Sequence, residues 1–345
     1  MLIQPPAIVG TPRVDDRQLW DVIFGVFGFP AIFIAHRLNL FRFVEDNNPT
    51  LAGICAGLDL QRRGAQILIS TSTSLGFIEL TDNRYYLTAL AKDYLLENSP
   101  NYFGHYWDLL IDNREVFSFD ALMTAVMSGT PQAYDAQDIY ETHRVDVERT
   151  RKFTRAMHSV GVAAATGWIG KVDLKLYSKM LDIGGGSGAH TLTATTAFPH
   201  LQATVFDLPT VCPVTEEFIR RYGLELRVQA VPGDMWSDNF PPADLHFYSH
   251  VYHCWTEEKC RFLSQKSFDS LEKGGRIIVH EILYDDAGKT GPFPAAATSM
   301  MMLGWGEGEQ YSASQLRSFL KDAGFCDVQV IPTYSYHSIV TGRKP

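Results

Sequence analysis

Met180-Leu-Asp-Ile-Gly-Gly-Gly-Ser-Gly188 decides the fold. A short apolar run ends in an acid, consecutive glycines follow, and His190 to Phe198 is compatible with a helix. The pattern predicts a buried strand that stops at the carboxyl edge of a sheet and turns tightly into a helix. Glycine permits the sharp turn and lets a ligand approach the backbone without meeting a Cβ. Taken alone, the stretch also describes an ordinary strand-to-helix turn.

The next strand narrows the choice. Ala203 to Phe206 is apolar and ends in Asp207, which lies 19 residues after Gly188. An acid at that spacing suits hydrogen bonds from a ribose diol. Two ribose-bearing ligands compete. A nicotinamide dinucleotide calls for Gly-x-Gly-x-x-Gly, and Gly184-Gly185-Gly186-Ser187-Gly188 lacks that spacing. Asp182, just ahead of the turn, is awkward beside a pyrophosphate and comfortable near a sulfonium and an amino group. The pattern favours S-adenosylmethionine.

The chain has 345 residues, room for two domains. Its 46% hydrophobic and 20% charged residues describe a globular protein with a sizeable core. A net charge of −9 argues against nucleic acid as a partner, because phosphate binding needs a positive footprint. Cys55, Cys212, Cys254, Cys260 and Cys326 are scattered, without a Cys-x-x-Cys pair, and suit free thiols in a reducing cytoplasm. The N-terminus shows no basic stretch ahead of an apolar core, so no signal peptide is expected. Val22 to Ala35 is apolar but shorter than the roughly 20 residues a membrane span needs, and Pro30 interrupts it. That run reads as a buried helix pair or a kinked helix, continuing through Leu38, Leu40, Phe41, Phe43 and Val44, and as a candidate subunit interface.

Residues 50 to 95 suggest a winged helix. Thr50 is placed to cap a helix over Leu51 to Gly57, and Gln61 to Leu75 forms a second one. Two short strands follow, Gly76 to Leu80 and Tyr85 to Thr88, around the turn Thr81-Asp82-Asn83-Arg84. Arg62 and Arg63 alone make the second helix basic, which speaks against DNA binding. Residues 100 to 178 read as mostly helical. Gly129 to Ala133 is a loop and Val147 to Trp168 a long helix, with Phe153 and Met157 on one face.

From residue 178, strands and helices alternate: 179–183, 203–207, 226–231, 243–249, 275–283, 326–332 and 336–342 are the expected strands. Alternation implies a doubly wound, mostly parallel sheet. Thr333-Tyr334-Ser335 is too short for a parallel crossover, so the last two strands form an antiparallel hairpin. Ligands in such sheets bind at the carboxyl ends of the strands. Asp234 there suits an adenine amino group, and Met235 its face. His246, His250 and His253 invite a zinc reading, but His246 lies in a strand and no cysteine pair accompanies them. His253 stands where its strand opens. Its ordinary pKa of about 6.5 suits taking a proton from a hydroxyl. Glu281 is placed to fix its tautomer, with His280 pointing to the other side of its strand.

Asp-Ile-Gly-Gly-Gly-Ser-Gly, Phe-Asp-Leu-Pro (206–209), Gly-Asp-Met-Trp (233–236), His-Val-Tyr-His-Cys-Trp (250–255) and the late Ala-Gly-Phe (323–325) resemble the class I S-adenosylmethionine-dependent small-molecule O-methyltransferases of the caffeic acid and hydroxyneurosporene type. The resemblance spans nearly the whole chain. It implies a Rossmann-like α/β fold with a seven-stranded methyltransferase sheet, behind a mostly helical, winged-helix dimerisation domain over residues 1–108. Residues 109–345 would bind the cofactor, with 109–178 a helical connector lining the acceptor pocket. Asp182, Gly184, Gly186, Asp207, Leu208, Asp234, Met235, Ser249 and Trp255 would hold the cofactor. His253 would be the general base, Glu281 its orienting acid, and Gln310 would stand where the family has a second glutamate. Phe153, Met157, Met301 and Met302 would face a small-molecule acceptor. The sequence departs from the family at Cys254, where the family has aspartate, at Ser249, where a basic residue is frequent, and at Gln310. The expected partners are the acceptor and a second copy of the chain, with neither nucleic acid nor membrane. Two rivals stand beside O-methylation: C-methylation of an enolate-type acceptor, with or without a metal, and a winged-helix regulator that senses a ligand.

Overall fold

The computed structural model describes residues 13–136, 139–285 and 287–345, so the expectation about the extreme N-terminus lies outside the described residues. The chain divides into two compact units, Met1–Ser99 and Pro100–Pro345. The sequence expectation placed that boundary at residue 108.

The first unit contains α1 (Arg17–Arg37), α2 (Leu40–Asn47), α3 (Leu51–Gly57), α4 (Arg62–Ser74), β1 (Ile78–Thr81), β2 (Arg84–Leu87) and α5 (Ala89–Tyr94). Thr50 caps α3 as expected, its hydroxyl accepting from the Gly53 N–H at 3.2 Å. β1 and β2 pair antiparallel around Asp82 and Asn83, both at positive φ. Two helices and a hairpin in this order have the winged-helix arrangement. Of the two forms expected for residues 22–35, the helix pair is excluded, and the expected burial is corrected. α1 is one uninterrupted helix with Pro30 inside it. Within this unit only Ile32 and Ala35 of the helix are buried, while Leu19, Val22, Phe24, Val26, Phe27 and Phe29 are exposed. Among the described residues, α1 is the one helix long and apolar enough to cross a membrane.

The second unit begins with α6 (Gly104–Asp112), α7 (Phe119–Ser128), α8 (Ile139–Val145) and α9 (Val147–Trp168). The expected alternation follows: β3 (Lys179–Ile183), α10 (Ala189–Ala197), β4 (Gln202–Asp207), α11 (Cys212–Tyr222), β5 (Val228–Pro232), β6 (Leu245–Ser249), α12 (Glu257–Ser270), β7 (Arg276–Ile282), α13 (Phe293–Trp305), α14 (Ala313–Asp322), β8 (Cys326–Pro332) and β9 (His337–Arg343). The seven strands lie in the order β5-β4-β3-β6-β7-β9-β8. β3 through β7 are parallel neighbours, and β9 runs antiparallel to both β7 and β8.

Both faces of the sheet are covered, so its strands are apolar on both sides. On one face Leu181, Ile183, Tyr248, Ile277 and Val279 join a cluster with Trp255, Met302, Trp305 and Phe319. On the other, Met180, Val205, Leu245, Phe247 and Ile278 pack with Trp168, Leu192 and Phe218. The order reverses between β3 and β6, which are neighbours in the sheet. A crevice opens at such a point outside the strand tips. The glycine turn after β3 and the loop after β6 meet there.

Candidate active site

The glycine turn takes its shape from positive φ at Gly184 (66°), Gly186 (56°) and Gly188 (75°). A Cβ on Gly184 would touch Val251 at 3.0 Å and Met235 at 3.4 Å, so the loops after β5 and β6 close around this glycine. Gly185 faces inward: a Cβ there would lie 2.5 Å from the Asp182 carboxyl carbon. Asp182 is buried and accepts from the Thr191 hydroxyl at 2.7 Å, while its other oxygen has no partner. Burial raises its pKa to about 7, helped by the charge of Asp207 and opposed by the Thr191 hydrogen bond. An unpaired carboxylate oxygen under a glycine turn is a seat for a cation or a hydrogen-bond donor.

Asp207 ends β4 and accepts the Gly186 N–H at 2.8 Å and the Leu208 N–H at 2.7 Å. Burial raises its pKa, and the two backbone donors oppose the shift. Each carboxylate oxygen can accept a second bond, so the ribose role remains open to it. Leu208 is half-buried beside it. Asp234 is engaged in a way the sequence did not signal. Arg144 of α8 donates to it at 2.9 Å, and the Trp236 N–H does so at 2.9 Å. Lys266 holds the same loop by donating to the Met235 and Asp238 carbonyls. Trp255 is buried between Tyr140 (ring centroids 4.6 Å) and Trp236 (4.9 Å).

His253 and Glu281 lie on a 3-10 turn after β6 and on β7. Nδ1 of His253 is 2.6 Å from Oε2 of Glu281, and both side chains are buried. The second Glu281 oxygen accepts the backbone N–H groups of Tyr252 (3.1 Å) and His253 (3.4 Å). A carboxylate only accepts, so Nδ1 carries a proton and Nε2 is the ring's remaining acceptor. Burial pushes the His253 pKa down, but Glu281 and the Cys254 thiol more than reverse this, and it stands well above the ordinary value. Cys254 turns its thiol to the His250 carbonyl at 3.2 Å.

Ser249 is committed elsewhere. Its hydroxyl lies 3.0 Å from His190 and 3.0 Å from His280, and Trp168 donates to the far side of His190 at 3.0 Å. His280 therefore points away from Glu281, as strand alternation requires. His250 and His337 are bonded at 2.9 Å, and His246 meets Ser267. Among the described residues no group of three or more histidines, cysteines or acids is placed to hold a metal ion. Gln310 is fully buried, and neither end of its amide has a partner. Phe153, Met157 and Met301 pack against one cluster with buried Met302, and Met301 accepts from the Tyr106 hydroxyl at 3.5 Å. Helix α9 carries Phe153 and Met157, and its His158 also reaches the glycine turn, with Nδ1 2.8 Å from the Ser187 hydroxyl.

Arg144, His158 and Thr191 were not among the residues expected at the site. Arg144 and His158 reach it across 90 and 29 positions of sequence, and no spacing rule joins such pairs. Thr191 had a usable signal: it lies on the first turns of α10, one residue past His190 and above Asp182.

The O-methyltransferase domain family matches residues 119–326. A 3-hydroxy-5-methyl-1-naphthoate 3-O-methyltransferase of Streptomyces sahachiroi is 29% identical over 97% of this chain and 98% of its own length. An L-tyrosine C(3)-methyltransferase of Streptomyces lavendulae is 29% identical over 99% of this chain and 95% of its own length. The crystal structure of human N-acetylserotonin methyltransferase in complex with S-adenosylmethionine superimposes with a TM-score of 0.84 at 25% identity, over 97% of this chain and 99% of that one. With the glycine turn, the acids at the strand tips and the antiparallel last hairpin, these matches establish that the chain belongs to the O-methyltransferase family and is an S-adenosylmethionine-dependent methyltransferase.

Proposed function

We propose that this enzyme methylates a hydroxyl on a small, largely apolar aromatic or polyketide-like acceptor, with His253 as general base. The observation that carries this reading is the buried His253–Glu281 pair at 2.6 Å, on adjacent strand ends beside the glycine turn. S-adenosylmethionine supplies a methyl group on a sulfonium, a leaving group that needs no protonation. The residues fit such a ligand: Asp182 has an unpaired oxygen and Asp207 has spare acceptor capacity. Asp207 and Leu208 would hold the ribose and adenine, Asp234 and Met235 the adenine edge, and Gly184 and Gly186 the methionine part. Ser249 would act through His190, which begins α10, rather than by touching the ligand. Trp255 would wall the site.

The acceptor would lie against Phe153, Met157, Met301 and Met302. As its oxygen attacks, the hydroxyl proton passes to Nε2 of His253. The imidazolium that forms is stabilised by Glu281, which also keeps the ring in the accepting tautomer. Binding both reactants in line supplies much of the rate. Transfer to carbon, the reaction for which one relative is named, is not favoured by the O-methyltransferase family match.

We further propose that the first unit forms a homodimer through the exposed apolar side of α1 and that residues 109–178 line the acceptor site. Five free cysteines are consistent with a cytoplasmic setting. The test of the central reading is His253→Ala. Cofactor affinity should be nearly intact, and kcat should fall by roughly 10²–10⁴. Near wild-type turnover, with the methylated product identified, would remove the base from the mechanism.

A further inference from the structure

We propose that Gln310 reads the acceptor directly, so that the substrate carries a neutral hydrogen-bond donor and acceptor side by side next to the reacting hydroxyl, as a carboxamide or lactam does. The inference rests on the reading of His253 as base. Gln310 lies in the connection between α13 and α14. There Glu307 and Glu309 are exposed, Gly308 is half-buried and Gln310 is fully buried. Gln310 follows Gly308 by two residues, and the chain from Gln310 through Ser312 is buried. The segment passes directly against the catalytic turn at Gly308, where a Cβ would run into the backbone of His253, Cys254 and Trp255. The segment is held firmly. The Gln310 N–H donates to the Ser299 hydroxyl of α13 at 3.0 Å, and the Tyr311 hydroxyl donates to the Trp255 carbonyl at 2.7 Å.

The backbone is thus anchored while Oε1 and Nε2 of Gln310 are both buried and unbonded. A buried amide left without partners at both ends is strongly disfavoured, and such groups mark places where another molecule completes the bonding. A carboxylate at this position could only accept hydrogen bonds. An amide also donates, so it can pair with a carbonyl oxygen while its own oxygen takes an adjacent N–H. Two-for-two pairing would hold the ring in one orientation and present the neighbouring hydroxyl to Nε2 of His253. An anionic carboxylate on the ring would leave Oε1 unpaired and facing negative charge, so the neutral group is the better match.

Calorimetry on the protein saturated with S-adenosylhomocysteine tests this with two probes, salicylamide and phenol, which share the hydroxyl and differ in the carboxamide. The native protein should bind salicylamide about tenfold or more tightly than phenol. Gln310→Leu should reduce that ratio to about one while binding S-adenosylhomocysteine as before. Gln310→Glu, of the same size but unable to donate when ionised, should also lose the preference. Equal binding of the two probes by the native protein, binding of neither, or a preference that survives in Gln310→Leu would overturn the assignment. Failure to bind S-adenosylhomocysteine would instead count against the methyltransferase site itself.

Discussion

Replacing Glu281 by glutamine tests how the His253 ring is controlled. The carboxylate makes three contacts: Oε1 to the Tyr252 and His253 N–H groups, and Oε2 to Nδ1 at 2.6 Å. An amide of the same shape has one oxygen and one NH₂. If its oxygen keeps the backbone donors, the NH₂ faces Nδ1, the ring proton moves to Nε2, and the base is blocked. If it turns over, the NH₂ faces two backbone donors. Leaving each of those unsatisfied in a buried site costs about 1–3 kcal/mol, or roughly 2–6 kcal/mol together. The productive orientation is therefore a minor population, and kcat should fall by roughly 10²–10⁴. A second readout is independent of amplitude. The native rate should rise with pH as His253 deprotonates, with a midpoint above the usual histidine value because Glu281 raises its pKa. Without that charge, burial dominates and the midpoint should move to lower pH. The assay is the initial rate of S-adenosylhomocysteine formation at saturating cofactor and acceptor across neutral and alkaline pH. A native plateau rate in the variant, or an unmoved midpoint, would refute the reasoning.

Further outcomes follow from the same geometry. Asp207→Ala should weaken S-adenosylmethionine binding by about 1.5–3 kcal/mol, the worth of hydrogen bonds to a charged group, and unchanged calorimetric affinity would remove Asp207 from the ribose site. Asp182 stands at a pKa of about 7, and only its ionised form attracts a cation, so S-adenosylmethionine affinity should rise with pH through neutrality; an Asp182→Asn protein that folds and keeps the same pH dependence would contradict this. His158, His190 and His246 are held at about 3 by burial, so the unfolded chain takes up protons that the folded one refuses. Stability should then be complete above the unfolded value and be lost as pH falls below it, by about 2 kcal/mol per histidine between about pH 7 and about pH 5, and a urea midpoint that stays flat over that range would be inconsistent with it. Sedimentation should give twice the chain mass, and Phe24→Asp with Phe27→Asp should give one; a native chain that sediments as a monomer at micromolar concentration would exclude the dimer.

The sequence by itself determined the parts whose cause is local. Alternating apolar runs placed all seven strands within a few residues, because burial on both faces of a parallel sheet demands continuous apolar stretches. The short Thr333-Tyr334-Ser335 connection required the antiparallel hairpin, and Asp182, Asp207 and Glu281 were legible as acids at strand tips. Long-range partners were not legible. α1 reads as core from composition, yet it leaves most of its apolar residues exposed within its own unit, since periodicity reports how apolar a helix is and not what covers it. The family resemblance implies a cofactor contact for Ser249, but His190 and His280 converge on its hydroxyl from α10 and β7. The pKa of His253, the Arg144 bond to Asp234 and the unpaired amide of Gln310 likewise exist only once distant segments are packed together. Burial and charge proximity act through space, so the tertiary structure alone decides them.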